Sequence, residues 1–257
     1  MTRTAFVTGG TRGIGKAIVQ RLKEDGLQVA AGYSGNTEAA EATARELGVM
    51  VVKGNVGSFE DCERAVREVE AQLGPIDVLV NNAGITRDGF FHKMSADQWS
   101  DVIRVNMDSV FNMTRQVING MRDRGFGRIV NISSIAGLYG NAGQASYSSA
   151  KASLIGLTRT MCKEWGRYKV NVNCVAFGLI NTRLTQPIET QQKTIDVAGR
   201  DIKVGVQPQM LEAMGRMIPL GRGGTPEEAA DAVYLFCSPE SNYISGQVIV
   251  AGGGLLI

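Results

Sequence analysis

Residues 4–15 read TAFVTGGTRGIG, an apolar run that passes directly into a glycine-rich turn. Residues 4–8 predict a short buried strand, and residues 13–25 carry apolar side chains at helical spacing. Glycines between a strand and a helix allow a tight turn, and the start of the helix offers N–H groups to a pyrophosphate. The spacing G-x-x-x-G-x-G therefore predicts a dinucleotide site, with a purely structural turn as the alternative. The predicted binding residues are Gly9, Thr11, Arg12, Gly13, Ile14 and Gly15.

The rest of the chain repeats this alternation of strand and helix. Apolar runs predict further strands at residues 28–32, 50–54, 76–80, 128–132, 170–176 and 247–250. Helical spacing predicts further helices at residues 38–47, 59–73, 95–121, 146–165 and 226–236. Near-continuous apolar strands in this order are typical of a parallel sheet with helices on both faces. No linker or repeat is evident, so we expect one α/β domain over residues 1–257, a doubly wound, Rossmann-like parallel sheet.

The composition excludes several classes of protein. The 257 residues carry a net charge of +2, which gives no electrostatic footprint for nucleic acid, and no apolar run reaches membrane-spanning length. The four cysteines are widely spread without a CxxC pair, and His92 is the only imidazole. The chain therefore has too few histidines for a multi-histidine metal site, and its single histidine makes a histidine-based catalytic triad an unfavourable reading. We expect a cytoplasmic protein with no metal, no nucleic acid and no membrane partner.

Tyr147 and Lys151 lie four residues apart within the predicted helix at 146–165, which makes their side chains neighbours across one turn. An ammonium beside a phenol favours the phenolate, so Lys151 is expected to lower the pKa of Tyr147. Ser134, just upstream, is placed to hydrogen-bond the same substrate oxygen. The pattern predicts a proton donor to a carbonyl or an acceptor from an alcohol, with a solvated helix surface as the alternative.

The end of the second strand bears on the choice of cofactor. A carboxylate there would hold the ribose 2′-hydroxyl of NADH and repel the 2′-phosphate of NADPH. Residues 32–36 read GYSGN instead, and Arg12 lies in the glycine turn. The sequence therefore predicts NADPH, with NADH as the alternative. Further predicted cofactor contacts, for which ordinary strand-end turns are the alternative, are Tyr33, Asn55, Val56, Asn82, Ala83 and Gly84.

Together these motifs resemble the short-chain dehydrogenase/reductase family over essentially the whole chain. The residues that carry the resemblance are 8–15, 81–84, Asn106, Ser134, Tyr147, Lys151 and 246–254. Within the family the chain resembles the 3-oxoacyl thioester reductases. NNAGITRD at 81–88 and RGFGR at 124–128 are similar to acetoacetyl-CoA reductases. NAGQASY at 141–147 is equally similar to 3-oxoacyl-carrier-protein reductases.

The resemblance implies roles for the catalytic residues. Tyr147 would be the general acid, and Lys151 would lower its pKa while bonding the nicotinamide ribose. Ser134, which the family's spacing selects over Ser133, would polarise the substrate carbonyl. Asn106 would hold a water that relays protons to Lys151. Hydride addition to a ketone builds negative charge on its oxygen, which two donors and an ammonium stabilise.

The chain departs from the family pattern after the sixth strand, where Phe177 replaces the usual proline. The resemblance still implies that Gly178, Ile180 and Thr182 contact the cofactor, the last two at its carboxamide. Residues 178–219 resemble the family's long, variable substrate lid. Alternation on either side of residues 198–200 predicts a small hairpin in it.

Substrate contacts are implied for Asn141, Gln144 and Leu179. Gln144 matches the acetoacetyl-CoA reductases, which often carry Gln and Tyr where Asn141 and Leu179 stand. Gly125 and Tyr168 occupy positions where carrier-protein reductases can present arginines to an acidic partner, which favours a CoA substrate. Three methionines of the lid either line an acyl pocket or pack against the domain: Met210, Met214 and Met217.

The sequence thus predicts NADPH-dependent reduction of a 3-oxoacyl thioester, in the first instance acetoacetyl-CoA, to the 3-hydroxyacyl product. The alternatives are a 3-oxoacyl-carrier-protein reductase, an NAD-linked 3-hydroxyacyl-CoA dehydrogenase, a reductase of another ketone, and a silent nucleotide-binding subunit. By resemblance we expect a homotetramer, with the two long helices and the last strand at its interfaces.

Overall fold

The computed structural model describes residues 2–182, 185, 194–197, 200–203, 205–206 and 208–255. A sheet of seven strands, paired in parallel, has the order β3-β2-β1-β4-β5-β6-β9. Its strands are β1 (Thr4–Val7), β2 (Gln28–Tyr33), β3 (Met50–Lys53), β4 (Ile76–Asn81), β5 (Gly127–Ser134), β6 (Val170–Phe177) and β9 (Val248–Ala251). An antiparallel pair, β7 (Thr194–Val197) and β8 (Arg200–Lys203), stands apart from it.

Nine α-helices lie in the described part of the chain. They are α1 (Gly13–Glu24), α2 (Thr37–Leu47), α3 (Phe59–Leu73), α4 (Ala96–Ile103), α5 (Ser109–Arg124), α6 (Ile135–Tyr139), α7 (Ala145–Trp165), α8 (Pro208–Met217) and α9 (Pro226–Tyr234). Caps define several of the boundaries. Ser95 and Thr225 form capping boxes before α4 and α9. The hydroxyl of each accepts the backbone N–H of Gln98 or Glu228, and its own backbone N–H donates to the side chain of that residue.

The strand order reverses at β1, which lies between β2 and β4. Such a reversal opens a crevice at the carboxyl ends of the strands, where ligands bind in open α/β sheets. The glycine-rich turn follows β1 at that crevice. The predicted fold class, a doubly wound parallel sheet, is confirmed.

Alternate residues of the central strands enter two different apolar layers. Ala5 and Val7 pack on one face with α1 and α9, whereas Phe6 packs on the other face with α3 and α5. All three are at most 2% exposed. Burying a side chain as large as Phe6 contributes about 2–3 kcal/mol, so a one-residue slip that exchanged the two layers would be costly.

The predicted helix at 95–121 is not continuous in its hydrogen bonding. A five-residue π-helical stretch, Arg104–Asp108, separates α4 from α5. The amide of Asn106 donates to the carbonyl of Val102, one turn back, at 2.9 Å. A side chain that competes for a helix carbonyl loosens the local backbone pattern, and π-helical turns of this kind are frequent at functional sites.

The lid contains the predicted hairpin, since β7 pairs with β8 in the described residues, although Val204 lies outside them. Met214 packs beside an apolar cluster of α8 and its neighbours, whereas Met217 is 52% exposed. The side chain of Met210 lies outside the described residues. Packing against the domain therefore accounts for Met214.

Within the described residues, no helix combines the length and the apolar character that crossing a membrane would demand.

Candidate active site

Glycine is required at two positions of the turn after β1. Gly9 has a φ of 64°, a left-handed conformation that other residues rarely adopt. A Cβ at Gly15 would lie 2.1 Å from the carbonyl oxygen of Gly9, so the first turn of α1 packs directly against the loop. At Gly13 an added Cβ would meet nothing within 4 Å. The backbone before α1 is therefore open on this side, and it fits a pyrophosphate at the helix N-terminus.

The other predicted residues of this turn have different environments. Thr11 is buried, and its carbonyl accepts a hydrogen bond of 3.0 Å from the Thr43 hydroxyl on α2. Arg12 is exposed and immediately precedes α1, without a side-chain capping bond. Ile14 packs against the apolar layer beneath α1. Of these three, only Arg12 presents a charged side chain at the rim of the turn.

The ends of β2 and β3 border a narrow cleft, and two of the predicted cofactor residues, Asn55 and Val56, line it. Tyr33 ends β2, half-buried. The Asn55 side chain accepts the Gly57 N–H at 3.0 Å, which shapes the turn after β3. The carbonyl of Val56 accepts from the Asn112 amide at 3.0 Å. Asn55 therefore shapes the loop at this cleft, and its predicted contact with adenine stays a prediction.

The loop after β4 is tied to the glycine turn. The amide of Asn82 donates to the carbonyl of Thr8 at 2.9 Å, and the backbone N–H groups of Asn82 and Ala83 both donate to the Thr8 hydroxyl at 3.0 Å. Gly84 follows and is exposed. Asn82 thus holds the two loops of the crevice together, a role that the sequence did not predict for it.

Three of the predicted catalytic side chains converge at the crevice. Ser134 ends β5, while Tyr147 and Lys151 lie one turn apart on α7. The hydroxyl of Ser134 lies close enough to that of Tyr147 to influence its pKa, and the Lys151 ammonium lies 5.7 Å from the centre of the Tyr147 ring. That ammonium is buried and donates to the carbonyl of Ile132 at 2.8 Å. The Ser133 hydroxyl instead donates to the carbonyl of Lys151 at 2.7 Å, within the protein interior.

The pKa of Tyr147 corrects one sequence-based expectation. Lys151 was expected to lower it, but burial raises the pKa of Tyr147 above its usual value, and the negative charge of Asp88 adds to that effect. The Ser134 hydroxyl acts in the opposite direction and is outweighed. Burial also lowers the pKa of Lys151, to about 8. The neutral forms of both groups are therefore favoured, and Tyr147 is held as the protonated phenol.

Asn106 lies next to Lys151. Its amide nitrogen donates to the carbonyls of Ile85 and Val102, both at 2.9 Å, while its buried Oδ1 has no partner within the protein. A Cβ built on Gly84 would lie 2.6 Å from this Oδ1 and 3.4 Å from Nζ of Lys151. The absence of a side chain at Gly84 therefore leaves room between an unpaired acceptor and the ammonium. A water there would bond both groups, as buried waters do.

A cavity of about 440 Å³ lies away from this centre. Its lining residues come from the ends of α5 and α7 and from the turn that follows: Arg122, Lys163, Glu164, Trp165, Arg167 and Tyr168. Trp165 ends the helix on which Tyr147 stands near the start, so the two are separated by roughly 27 Å at the rise of an α-helix. The cavity is therefore not part of the crevice.

The chain matches the family model described as short chain dehydrogenase over residues 3–193. It belongs to the short chain dehydrogenase family. It is 46% identical to the acetoacetyl-CoA reductase of Rhizobium meliloti strain 1021 over 254 residues, which cover 99% of this chain and 98% of that protein. It is 38% identical to the 3-oxoacyl-[acyl-carrier-protein] reductase FabG of Vibrio cholerae over 260 residues, 98% of this chain and 97% of that protein. The family resemblance is confirmed, and the chain is an oxidoreductase.

In this short chain dehydrogenase, Phe177 stands at the point where the lid leaves β6. Its side chain is 5% exposed and packs in the same apolar layer as Ile180. A Cβ at Gly178 would lie 2.7 Å from Cα of Gly252, so the chain leaves the sheet by a close backbone crossing. Phe177 therefore fills the core, and the glycine that follows it supplies the turn.

Beyond Gly178 the lid is anchored to the body of the protein. Ile180 forms a backbone bridge with Gly224, and its carbonyl accepts from the Thr185 hydroxyl at 2.7 Å. The N–H of Thr182 donates to the same hydroxyl at 2.8 Å. Leu179 is 9% exposed and joins the apolar cluster beneath α8. The carboxamide contacts of Ile180 and Thr182, and the substrate contact of Leu179, stay predictions.

The other two predicted substrate residues are joined to each other at the mouth of the crevice. The Asn141 amide donates to Oε1 of Gln144 at 2.9 Å, and Nε2 of Gln144 donates to Asp88 at 2.9 Å. This network links the loop before α7 to the loop after β4. The sequence did not single out Asp88.

Sequence reasoning missed two other groups in this short chain dehydrogenase. The hydroxyl of Thr8 accepts two backbone N–H groups of the loop after β4, and the carbonyl of Ile132 accepts a hydrogen bond from the Lys151 ammonium. A threonine at the end of an apolar strand is a signal that would have pointed to Thr8. A backbone carbonyl leaves no signal in the sequence.

Proposed function

We propose that this protein reduces a 3-oxoacyl thioester, acetoacetyl-CoA in the first instance, to the 3-hydroxyacyl thioester with NADPH. The observation that carries the proposal is the convergence of Tyr147 and Ser134 beside the buried ammonium of Lys151. This pair lies at the same crevice as the glycine turn, which would bind the pyrophosphate of the cofactor. The acetoacetyl-CoA reductase with 46% identity over nearly the whole chain supports the choice of substrate.

The residues act on the carbonyl oxygen of the substrate. NADPH, when bound, supplies the hydride that adds to C3 of the thioester. Tyr147 transfers its phenolic proton to the oxygen, so that the ketone becomes an alcohol. Ser134 donates a hydrogen bond to the same oxygen as its charge develops, and preorganised donors of this kind contribute most of the stabilisation in such steps. The buried Lys151 compensates the negative charge left on Tyr147.

Lys151 and Asn106 would reprotonate Tyr147 after each turnover. Lys151 is the nearest ammonium on its helix, and the unpaired Oδ1 of Asn106 faces the space between them and Gly84. A water that bonds Oδ1 and Nζ would carry a proton toward Lys151. The pKa of about 8 for Lys151 allows this group to give up a proton and take one back near neutral pH.

The charge at the end of β2 supports NADPH. The stretch at 33–36 contains no carboxylate, and Arg12 is exposed at the rim of the adjoining turn. A 2′-phosphate would therefore lie near the Arg12 cation, with no carboxylate at the end of β2 to repel it, whereas an acidic residue there would favour NADH. We expect a modest preference, because Arg12 is the only arginine of the two segments.

A second candidate is reduction of the same 3-oxoacyl group on a carrier protein. It is favoured by the FabG-type relative, 38% identical over 98% of the chain. Gly125 and Tyr168 disfavour a carrier-protein substrate, because neither side chain presents a positive charge to an acidic carrier. Oxidation of a 3-hydroxyacyl-CoA with NAD uses the same residues in reverse.

We also propose that the protein is a homotetramer. Large apolar side chains remain exposed along α4 and α5, with Phe111 at 57%, and near β9, with Tyr243 at 104% and Val250 at 43%. The helix at 95–121 and the last strand are two of the three elements predicted at the subunit interfaces, the third being the helix at 146–165. Light scattering coupled to size-exclusion chromatography is expected to give four times the 27.5 kDa of the chain. A monomer at micromolar concentration would contradict this.

The experiment is a spectrophotometric panel with purified protein. Acetoacetyl-CoA, longer 3-oxoacyl-CoAs and 3-oxoacyl carrier-protein thioesters are each assayed with NADPH and NADH. We expect the highest kcat/KM for acetoacetyl-CoA with NADPH. Higher kcat/KM for carrier-protein thioesters selects the second candidate, and no oxidation of either cofactor by any 3-oxoacyl thioester overturns the proposal.

A further inference from the structure

Two loops meet at the mouth of the crevice through two independent contacts. The backbone N–H of Gly89 donates to the carbonyl of Gly143 at 2.8 Å. The Asp88 carboxylate accepts from Nε2 of Gln144 at 2.9 Å, and Oε1 of Gln144 accepts from the Asn141 amide at 2.9 Å. Both ends of the Gln144 amide are therefore held, and Asp88 supplies the only charged partner in this chain of bonds.

Gln144 also begins the helix that carries the phenol. It is the residue before α7, and its carbonyl accepts the N–H of Ser148 at 2.7 Å, which closes the first turn around Tyr147. The side chain of Gln144 makes no cap for that helix. Its amide is directed to Asp88 instead, so the position of the helix start is coupled to the loop after β4.

We propose that Asp88 is a positioning residue for the reduction, holding the Gln144 amide and the start of α7 where the acyl thioester meets Tyr147. The inference rests on the proposed function, because it assigns Asp88 a role in that reaction. Asp88 contacts neither Ser134 nor Lys151 in any hydrogen bond of the described chain, so its action is through Gln144 and through its charge.

The charge of Asp88 has a second consequence at the same site. A carboxylate near Tyr147 disfavours the phenolate and keeps the proton donor in its protonated form. Other charged groups on the elements packed around the phenol are Lys151 on its own helix, the Arg87–Asp101–Arg104 cluster, and the exposed Asp97 and Asp108. Arg159, Lys163 and Glu164 lie at least three helical turns further along α7. Asp101 is paired with both arginines of that cluster, at 2.6 and 2.7 Å. Asp88 has no such cationic partner among the salt bridges of the described chain.

The test compares three variants of the full chain. Asp88→Ala removes both the hydrogen bond and the charge, and Asp88→Asn keeps an acceptor for Gln144 without the charge. Asp123→Ala is the control, because Asp123 is exposed near the end of α5, at the amino ends of the strands rather than at the carboxyl ends that border the crevice. The contact between Gly89 and Gly143 is retained in all three, so we expect each to fold.

The first readout needs no substrate or cofactor. Amide hydrogen exchange of residues 141–148 is followed by mass spectrometry. We expect faster exchange in Asp88→Ala, with Asp88→Asn and Asp123→Ala close to the wild type. Unchanged exchange in Asp88→Ala, or equally fast exchange in Asp88→Asn, overturns the positioning role.

The second readout separates binding from protonation. With a 3-oxoacyl thioester and NADPH, we expect Asp88→Ala to raise KM for the thioester about tenfold, the usual scale for losing a charged hydrogen-bond partner. Asp88→Asn is expected to keep KM and to move the alkaline limb of kcat/KM to lower pH, because the phenol then ionises more readily. An unchanged KM in Asp88→Ala, or an unmoved limb in Asp88→Asn, contradicts the inference. If the wild type reduces no such thioester, the proposed function fails while the exchange result still decides the positioning role.

Discussion

Two polar clusters are buried within the described chain, and they differ in what burial does to them. In the first, Asn81 donates to the side chains of Thr114 and Asn131 at 3.2 and 2.9 Å, and Asn131 donates to Thr158 at 2.9 Å. These groups are neutral, and they join β4 and β5 to α5 and α7. The second cluster, around Tyr147 and Lys151, holds groups that titrate. In the first cluster each buried amide nitrogen finds an acceptor, whereas in the second cluster burial shifts the pKa values of Tyr147 and Lys151.

The difference teaches which buried polar groups serve the fold and which serve chemistry. Buried neutral groups are paired because an unpaired one costs about 1–3 kcal/mol. Each cluster also leaves one buried amide oxygen unpaired, Oδ1 of Asn81 in the first and Oδ1 of Asn106 in the second. The catalytic cluster alone of the two buries a charge, since the ammonium of Lys151 has no carboxylate partner among the salt bridges of the described residues. Perturbed titratable groups in a crevice are the expected sign of an active site.

The largest expected effect comes from removing the cation of the catalytic cluster, Lys151. Lys151→Met should lower kcat/KM for acetoacetyl-CoA by about 10²–10⁴-fold, because the charge on Tyr147 is no longer compensated. The same change should raise the free energy of unfolding below pH 8 by an amount on the order of 1–3 kcal/mol, because a buried charge is removed. Steady-state kinetics and chemical denaturation measure the two effects. Lys163→Met, at an exposed position of the same helix, is the control.

The pH dependence of this stability gain follows from the pKa of Lys151. Burial lowers that pKa to about 8, whereas the unfolded chain has the ordinary value near 10.5. The unfolded state therefore binds more protons between these values, and the wild type gains stability as pH rises through this range. The advantage of Lys151→Met should be full below pH 8 and shrink toward pH 10.5. A constant difference over this range would contradict the burial of the charge.

The second prediction breaks the neutral cluster. Asn131→Ala removes one of the two acceptors of the Asn81 amide and the donor to the Thr158 hydroxyl, and it should lower the free energy of unfolding by about 2–4 kcal/mol. Urea denaturation measures the loss. Asn119→Ala, at an exposed position of α5, should change stability by less than about 0.5 kcal/mol. Equal effects of the two substitutions would show that the buried network contributes nothing.

The smallest expected effect concerns the N-terminal cap of α9, which lies outside both clusters. Thr225 caps α9 by accepting the N–H of Glu228 at 3.2 Å. Thr225→Ala should cost about 1 kcal/mol, seen as a lower Tm in thermal unfolding, with kcat unchanged. Thr225→Ser keeps the acceptor and should retain the Tm. A Tm that stays the same in Thr225→Ala would rule out this contribution of the cap.

Much of the fold could be predicted from the sequence. The strands and long helices repeat apolar patterns over many residues, so β1, α3 and α7 were predicted to within about two residues of their ends. The short helix α6 was not predicted, because five residues capped by Ser134 give no readable period. The π-helical stretch was also missed, since it depends on the side-chain bond of Asn106 to Val102 rather than on any pattern of apolar residues.

The candidate site was predicted in its residues but not in its electrostatics. The spacing of Tyr147 and Lys151 on a helix placed the two groups side by side, as the structure has them. The spacing does not report how deeply each is enclosed, and burial decides the direction of both pKa values. The partners of Asn82 and the position of Asp88 depend on contacts between loops distant in the sequence.

The central claim is that Tyr147 gives the proton to the carbonyl oxygen, and the most direct measurement is the rate of acetoacetyl-CoA reduction by NADPH in Tyr147→Phe. The account predicts that kcat falls by about 10²–10⁴-fold at every pH, while the free energy of unfolding stays close to that of the wild type. Tyr243→Phe, at a fully exposed tyrosine, should keep the wild-type rate. A Tyr147→Phe enzyme that keeps more than about a tenth of the wild-type kcat, a loss smaller than that range, would contradict the account.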